Sequence, residues 1–148
     1  MAKVSIKLRT PKQVIEASMR HGAQQVKKRI LVLMEVAGTA GMNAARLNGS
    51  YLDQTGNLRS SVGYALVEDG KLVKTGEFNQ VKNGGEGPQQ GRQLAEQIAT
   101  EFPKGITVVL LAGMPYASAL SARGYDVIDS GILTTMRLVP ELLKPFKN

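Results

Sequence analysis

The sequence contains one histidine, His21, and no cysteine. The lack of cysteine excludes disulfide bonds, Cys-ligated zinc, iron–sulfur clusters and thiol nucleophiles. A Ser-His-Asp triad is formally possible, but no serine lies in a Gly-x-Ser-x-Gly elbow. We therefore interpret His21 as a surface or interface residue, and we expect no catalytic residues, no metal site and no cofactor.

Two other patterns have a spacing that suits chemistry. Asp126 and Asp129 form a close carboxylate pair of the kind used in acid–base catalysis or Mg²⁺ binding, but a predicted helix begins there and capping explains Asp129 without chemistry. Residues 84–87, Gly-Gly-Glu-Gly, are similar to a phosphate-binding loop, yet they lack its Gly-Lys-Ser/Thr ending. We predict a mobile loop there, and together these patterns favour a protein that is not an enzyme.

Positive charge is concentrated towards the N-terminus. The formal net charge is +7, and the first 62 residues hold ten Lys or Arg against three Asp or Glu, while the remainder holds nine of each. This asymmetry is typical of contact with nucleic acid or an acidic protein, and equally of a solvated helix face. The densest basic cluster and its basic neighbours are Lys27, Lys28, Arg29, Arg20 and Lys12. Because consecutive helical residues point in different directions and no zinc finger accompanies them, we expect no sequence-specific nucleic-acid binding.

Length and composition indicate a single domain, residues 1–148, with one aliphatic core. The chain is 43% hydrophobic, and its aromatic residues are four Tyr, three Phe and no Trp. The longest apolar run, residues 106–112, is too short to span a bilayer, and the N-terminus alternates polar and apolar residues instead of forming a signal core. We therefore expect a soluble protein made in a reducing cytosol.

The N-terminal part predicts a strand followed by a long helix. Val4–Leu8 alternate apolar and polar residues, Thr10 suits an N-cap, and Pro11 suits the first helical position. An apolar stripe at intervals of three and four then predicts a helix over residues 11–47, with Gly38 as the main place for a break. At about 1.5 Å per residue this helix is roughly 55 Å long, more than a compact domain of this size covers. Part of it is therefore expected to pack on something else.

The rest of the chain predicts short elements. We expect an α+β fold with a long N-terminal helix packed on a small, mainly antiparallel sheet with short additional helices. The predicted elements are a strand at 62–67, a hairpin turn at Asp69-Gly70, a return strand at 72–78, a flexible loop at 79–88, a helix at 89–102, a buried central strand at 106–112, a helix at 115–123 and a last helix from Asp129 or Ser130 through Leu138, limited by Pro140.

A short motif follows the predicted long helix. Residues 53–61 read Asp-Gln-Thr-Gly-Asn-Leu-Arg-Ser-Ser and precede an alternating strand and an Asp-Gly hairpin. This segment resembles the Thr-Gly-x-Leu-Arg-x-Ser element of the tail-completion and minor tail component proteins of tailed bacteriophages. We expect Gly56 to turn the chain, Leu58 to fill the core and Arg59 to bind a neighbouring carbonyl or carboxylate.

Other segments extend the resemblance. The predicted long helix corresponds to the family's first helix, and residues 114–117, Met-Pro-Tyr-Ala, resemble its Tyr-Ala element. The order of elements agrees over roughly residues 1–138. The chain departs from the family pattern in having Arg123 before Gly124, where an acidic residue is common, and in its extra loop and helix at 79–102. A neck or connector protein is therefore as compatible with the pattern as a tail-completion factor.

The resemblance implies a virion structural protein of a tailed bacteriophage, made in the host bacterial cytoplasm and assembled as a ring around the DNA channel. Its implied partners are copies of itself, neighbouring connector or tail proteins and, non-specifically, packaged DNA, with no membrane and no small-molecule substrate. The alternative is a nucleic-acid-binding accessory protein that uses the basic N-terminal part. The candidate interface or DNA-facing residues are Arg20, Lys27, Lys28, Arg29, Arg59 and Arg123.

Overall fold

A computed structural model describes residues 12–147 of the chain. The predicted strand at Val4–Leu8, the cap at Thr10 and the helix start at Pro11 lie outside these described residues. The fold is α+β, as predicted, with a long helix, a small antiparallel sheet and short helices. Its elements are α1 (Lys12–Asn48), α2 (Asn57–Ser60), β1 (Val62–Glu68), β2 (Lys71–Thr75), α3 (Glu86–Ala99), β3 (Ile106–Ala112), α4 (Ala117–Ala122), α5 (Asp129–Leu142) and a closing 3₁₀ turn (Lys144–Phe146).

The chain divides into two compact units, Met1–Ile30 and Leu31–Asn148. In the first unit, the described residues 12–30 all belong to α1 and none of them is buried. The second unit contains the rest of α1, the sheet and the other helices. All the buried residues of the described chain therefore lie in the second unit.

Helix α1 runs through 37 residues without a break at Gly38, so the predicted long helix is confirmed. The glycines of its second half serve close packing. A Cβ at Gly38 would lie 2.8 Å from Cγ of Tyr64, and one at Gly41 would clash with Thr135 and lie 2.9 Å from the carbonyl oxygen of Gly131. The backbones of α1 and α5 thus approach each other through two facing glycines.

The sheet has the strand order β2-β1-β3, and both pairings are antiparallel. The predicted hairpin is confirmed, with Asp69 and Gly70 at φ 49° and 80° in its turn. The prediction that 106–112 is the central strand is wrong, because β1 occupies that place and β3 lies at one edge of the described sheet. The predicted burial of this strand on both faces is also incomplete, since Leu111 is buried and the other six residues of β3 are half-buried.

The two faces of the sheet are covered by different helices. On one face, side chains of β1 and β3 pack with α3 and Phe78 in a cluster that contains Ala65, Val67, Phe78, Ala95, Ala99 and Leu111. On the other face, Tyr64 packs against Gly38 of α1, and Leu110 lies beside Gly41. A smaller cluster of Tyr51, Leu58, Met114, Ala117 and Val127 closes the end of the sheet near α4.

Several element boundaries differ from those predicted. The return strand ends at Thr75 instead of residue 78, and α3 begins at Glu86 instead of residue 89. Helix α5 continues past Pro140 to Leu142, because this proline lies in the last turn and removes only one ladder hydrogen bond there. Neither Asp129 nor Ser130 is the N-cap of α5, which is Ile128 without a side-chain cap.

The facing glycines of α1 and α5 yield a matched pair of variants. We expect Gly41→Ala to lower the free energy of unfolding by about 1–3 kcal/mol, because its Cβ clashes with Thr135. Gly22→Ala is the control, since a Cβ there meets nothing within 4 Å and alanine favours the helix by up to about 1 kcal/mol. Chemical denaturation measures both, and equal stability of the two variants would contradict the close packing.

Candidate assembly site

The segment 53–61, hereafter the turn motif, is organised by the buried carboxylate of Asp53, which is 6% exposed. Its Oδ1 accepts the backbone N–H of Gly56 at 3.1 Å, and its Oδ2 accepts the backbone N–H of Arg59 at 2.9 Å. Gly56 has φ 83°, a left-handed conformation that suits glycine. Leu58 is 1% exposed and belongs to the smaller hydrophobic cluster near α4. The turn motif is therefore a compact structural element in which Gly56 and Leu58 have the predicted roles.

The side chain of Arg59 binds the end of α1. Its Nε donates to the carbonyl of Arg46 at 2.9 Å, its Nη2 donates to the carbonyl of Gly49 at 3.4 Å, and its guanidinium lies 5.3 Å from the ring centre of Tyr51. Carbonyls at a helix C-terminus lack partners within the helix and attract cations. The predicted carbonyl contact of Arg59 is thus present, and this half-buried side chain is directed at its own chain.

Ser60 and Ser61 connect the turn motif to two later segments. The hydroxyl of Ser60 donates to the carbonyl of Gly56 at 2.6 Å and accepts the N–H of Val81 at 2.7 Å. The hydroxyl of Ser61 donates to the carbonyl of Leu58 at 2.7 Å and accepts the N–H of Met114 at 3.3 Å. Both serines are fully buried, so the turn motif joins the end of α1 to the segment before α3 and to the end of β3.

Arg46 makes backbone contacts that the sequence pattern did not predict. Its Nη2 donates to the carbonyls of Val62 at 2.8 Å and Glu77 at 2.9 Å. The guanidinium thereby connects the start of β1 to the segment that follows β2. Burial lowers the pKa of this guanidinium, and the nearby Tyr51 partly offsets the effect. The sequence signal was a basic residue in the last turn of a long helix, a position that favours carbonyl contacts.

The segment 79–88, predicted as a loosely packed loop, lies partly against the turn motif. Gly84 and Gly87 are buried, and a Cβ on either would clash with backbone atoms of residues 56 and 57. Lys82 donates from Nζ to the carbonyl of Asp53 at 2.9 Å. The expectation of poor packing is therefore wrong for these residues, because glycine here permits close backbone approach. The mobility of the segment stays a prediction.

The Tyr-Ala element lies beside the turn motif. Ala117 is buried with Leu58 and Met114, whereas Tyr116 is 43% exposed and lines a cleft of about 410 Å³ together with Asp53 and Glu86. Burial and these two carboxylates raise the pKa of Tyr116. The two elements that carry the resemblance thus form one continuous structural region.

The basic candidates of the first unit are Arg20, Lys27, Lys28 and Arg29, and all four are exposed on α1. His21 is exposed on the same segment. Residues 12–30 hold five Lys or Arg and one acidic residue, a net charge of +4. Residues 31–148 hold eleven basic and eleven acidic residues, so the second unit has no net charge. Arg123, the remaining candidate, is exposed in the second unit at the end of α4.

Of the carboxylate pair, Asp126 contacts the first turn of α5. Oδ1 of Asp126 accepts the backbone N–H of Ser130 at 3.2 Å, and Oδ2 accepts the Ser130 hydroxyl. Asp126, and not Asp129 as predicted, therefore stabilises the start of α5. Within residues 12–147, no group of three or more His, Cys, Asp or Glu side chains is arranged to hold a metal ion.

By length and composition alone, α1 is long and apolar enough to cross a membrane. One such helix is weak evidence, because long helices of soluble proteins and signal sequences meet the same criteria.

The two hydrogen bonds of the Asp53 carboxylate lead to a prediction about stability. We expect Asp53→Asn to lower the free energy of unfolding by about 1–3 kcal/mol, because an amide has one acceptor oxygen for the two N–H groups. Asp129→Asn is the control, since that exposed side chain caps nothing and should change stability by less than about 0.5 kcal/mol. Thermal and urea unfolding measure both, and equal effects would contradict the role of Asp53.

The buried hydroxyl of Tyr51 leads to a prediction about the pH dependence of stability. Its hydroxyl is buried and has no hydrogen-bond partner among the described residues, and burial raises its pKa, with partial opposition from Arg59. Because the unfolded tyrosine then ionises first, unfolding becomes easier as the pH rises above its ordinary pKa of about 10. We expect Tyr51→Phe to be as stable as the wild type or more stable at pH 7, and to lose less stability between pH 9 and 11. A steeper loss in the variant would show that the hydroxyl is not unfavourably buried.

Comparisons with protein-family models, with characterised proteins and with solved structures found no match to this chain.

Proposed function

We propose that this protein is a virion structural component of a tailed bacteriophage, acting as a head–tail connector, neck or tail-completion protein that assembles as a ring around the DNA channel. The observation that carries the proposal is the exposed, amphipathic and strongly basic segment 12–30 of α1. A segment of this kind suits assembly, since it has few means of stabilising itself in isolation.

The apolar stripe of residues 12–30 supports an assembly role. Met19 and Val26 are 70% and 42% exposed, and Ile15 and Ile30 are half-buried. Helices in water gain most of their stability from burying an apolar face against another element, at about 25 cal/mol per Å² of apolar area. A neighbouring subunit or another virion protein that covers this stripe would therefore stabilise the segment.

The turn motif supports the same proposal. The resemblance implied structural roles for this segment. Gly56 turns the chain and Leu58 is buried, while Arg59 binds the end of α1. The contacts of Arg46 and Arg59 hold the end of α1 within the second unit. Ring formation requires a heterologous interface between two different patches, and small errors in their angle prevent closure.

The second candidate is a nucleic-acid-binding accessory protein, and the charge distribution favours it. The whole excess charge of +7 belongs to residues 1–30, which hold eight basic residues and one acidic residue. Phosphate contacts by such a segment would weaken steeply with salt. Lack of measurable DNA affinity at about 50 mM salt would remove this candidate and leave the structural one.

A charge reversal tests the leading proposal. We expect Lys28→Glu, at an exposed position of the basic segment, to change the melting temperature little, because surface charge changes usually cost less than about 0.5 kcal/mol. Incorporation into virions, or ring formation in vitro, should fall strongly because repulsion replaces attraction at the interface or at DNA. Lys104→Glu, an equal charge change at an exposed position of the second unit, should assemble normally. Normal assembly of both variants would show that the basic face is merely solvated.

A further inference from the structure

The two edges of the described sheet differ in their protection. Strand β2 is five residues long, carries Lys71 and Lys74, and has a register shift in its pairing with β1. Strand β3 is seven residues long, and its sequence Ile-Thr-Val-Val-Leu-Leu-Ala has no charge and no proline, and pairs in an unshifted register. Lysines, bulges and short length are the usual means of keeping a sheet edge unpaired. Strand β3 has none of these features.

The backbone of β3 offers a regular row of groups at this edge. The hydrogen bonds from Gly113 N–H to the Ser61 carbonyl and from Asp69 N–H to the Gly105 carbonyl mark the pairs that bond to β1. Bonded pairs alternate along an antiparallel ladder, so the odd residues of β3 bond to β1 and the even ones point away. The outward residues are Ile106, Val108, Leu110 and Ala112, and none of them has a backbone partner strand within residues 12–147.

Apolar grooves lie on both sides of this edge. On the α3 face, a groove of about 300 Å³ is lined by residues that include Leu94, Ile98 and Leu111. On the α1 and α5 face, a groove of about 390 Å³ is lined by residues that include Val108, Met136 and Val139. The Met136 side chain is 66% exposed there. A strand added to β3 would direct alternate side chains to the two faces, so it must be apolar on both.

The sequence of β3 itself meets this requirement, because Ile106, Val108 and Leu110 lie on one face and Val109 and Leu111 on the other. By contrast, β2 has two lysines, and the segment 4–8 has Ser5 and Lys7 at alternate positions. We propose that β3 pairs antiparallel with β3 of a second copy, forming a two-fold dimer in which the described strands of both copies join in one continuous sheet.

The register follows from the outward groups. Pairing the even residues with one another places Ile106 opposite Ala112 and Val108 opposite Leu110 of the second copy, with Val109 on the two-fold axis. All four outward residues then exchange backbone hydrogen bonds. This dimer goes beyond the proposed function, because it concerns the free chain and an isologous contact closes after two copies. Ring contacts would use other surfaces, so failure of either proposal leaves the other standing.

The absence of cysteine allows the register to be tested directly. Val109→Cys would face its own copy in a non-hydrogen-bonded pair with about 4.5 Å between Cα atoms, within the range of a disulfide. Thr107→Cys lies on the same face of the strand, but two copies of it would be about 13 Å apart at about 3.3 Å per residue. Under mild oxidation of the full chain, Val109→Cys should form a covalent dimer at least tenfold faster. Equal cross-linking of the two variants would overturn the register.

A matched pair of edge variants tests the dimer itself. In analytical ultracentrifugation at about 10 μM, where a complex of micromolar dissociation constant is mostly formed, the wild type should be a dimer. Val108→Lys should raise the dissociation constant at least tenfold, by placing a charge in the apolar groove of the pairing edge. Val73→Lys, the same change on the exposed side of β2, should leave it unchanged. A wild-type monomer at about 100 μM, or equal weakening by both lysines, would overturn the proposal. A monomer whose Val108 amide is protected from exchange would assign the edge to another segment of the same chain.

Discussion

The end of helix α1 is held by two guanidinium groups, and much of the second unit depends on this contact. Arg59 binds carbonyls at the end of the helix, while Arg46, in the last turn of the helix, binds carbonyls of β1 and of the segment after β2. The contacts to Arg46, Gly49 and Val62 are half-buried and the contact to Glu77 is exposed. A hydrogen bond of this kind contributes about 0.5–1.5 kcal/mol to stability. One arginine extends from the helix to the sheet, and the other extends from the turn before the sheet to the helix, so both connect the end of α1 to the sheet.

The turn motif makes this contact possible. Asp53 accepts the N–H of Arg59 and so fixes the backbone from which the guanidinium extends. Ser60 and Ser61 then tie the same turn to the segment before α3 and to the end of β3. Glycines complete the arrangement, because Gly84 and Gly87 let later backbone reach the turn where any side chain would clash. One short sequence thus positions the ends of several elements.

Features set by local sequence could be predicted, and those set by tertiary pairing could not. The apolar stripe of α1 and the Asp69-Gly70 turn are local signals, and the helix and the hairpin are present. The apolar run of β3 suggested a buried central strand, but only Leu111 in it is buried, and β1 is the buried central strand. Apolar composition alone does not determine which strands pair. Gly84 and Gly87 suggested a flexible loop, but both lie against the backbone of the turn motif. The sequence alone does not distinguish a glycine in a flexible loop from one that permits close backbone packing.

At the candidate site, the sequence predicted the carbonyl contact of Arg59 but not that of Arg46, because a basic residue at a helix end has the same pattern whether it faces solvent or a sheet. The sequence placed the cap of the last helix at Asp129 or Ser130. In the structure the carboxylate of Asp126, three positions before the helix begins, accepts the N–H of Ser130. Hydrogen-bond partners depend on loop geometry, which residue spacing alone does not determine.

The division of charge between the two units bears on how assembly would be controlled. Residues 31–148 are neutral overall, so long-range repulsion between copies arises from the basic segment that precedes them. Such repulsion falls off within about 10 Å at 0.1 M salt, which permits contact between neutral surfaces such as the edge of β3 while opposing the approach of two basic helices. An anionic partner would remove that opposition. On these proposals the free chain stops at the closed dimer, and growth into a larger assembly begins when the basic segment of α1 meets the charge that neutralises it.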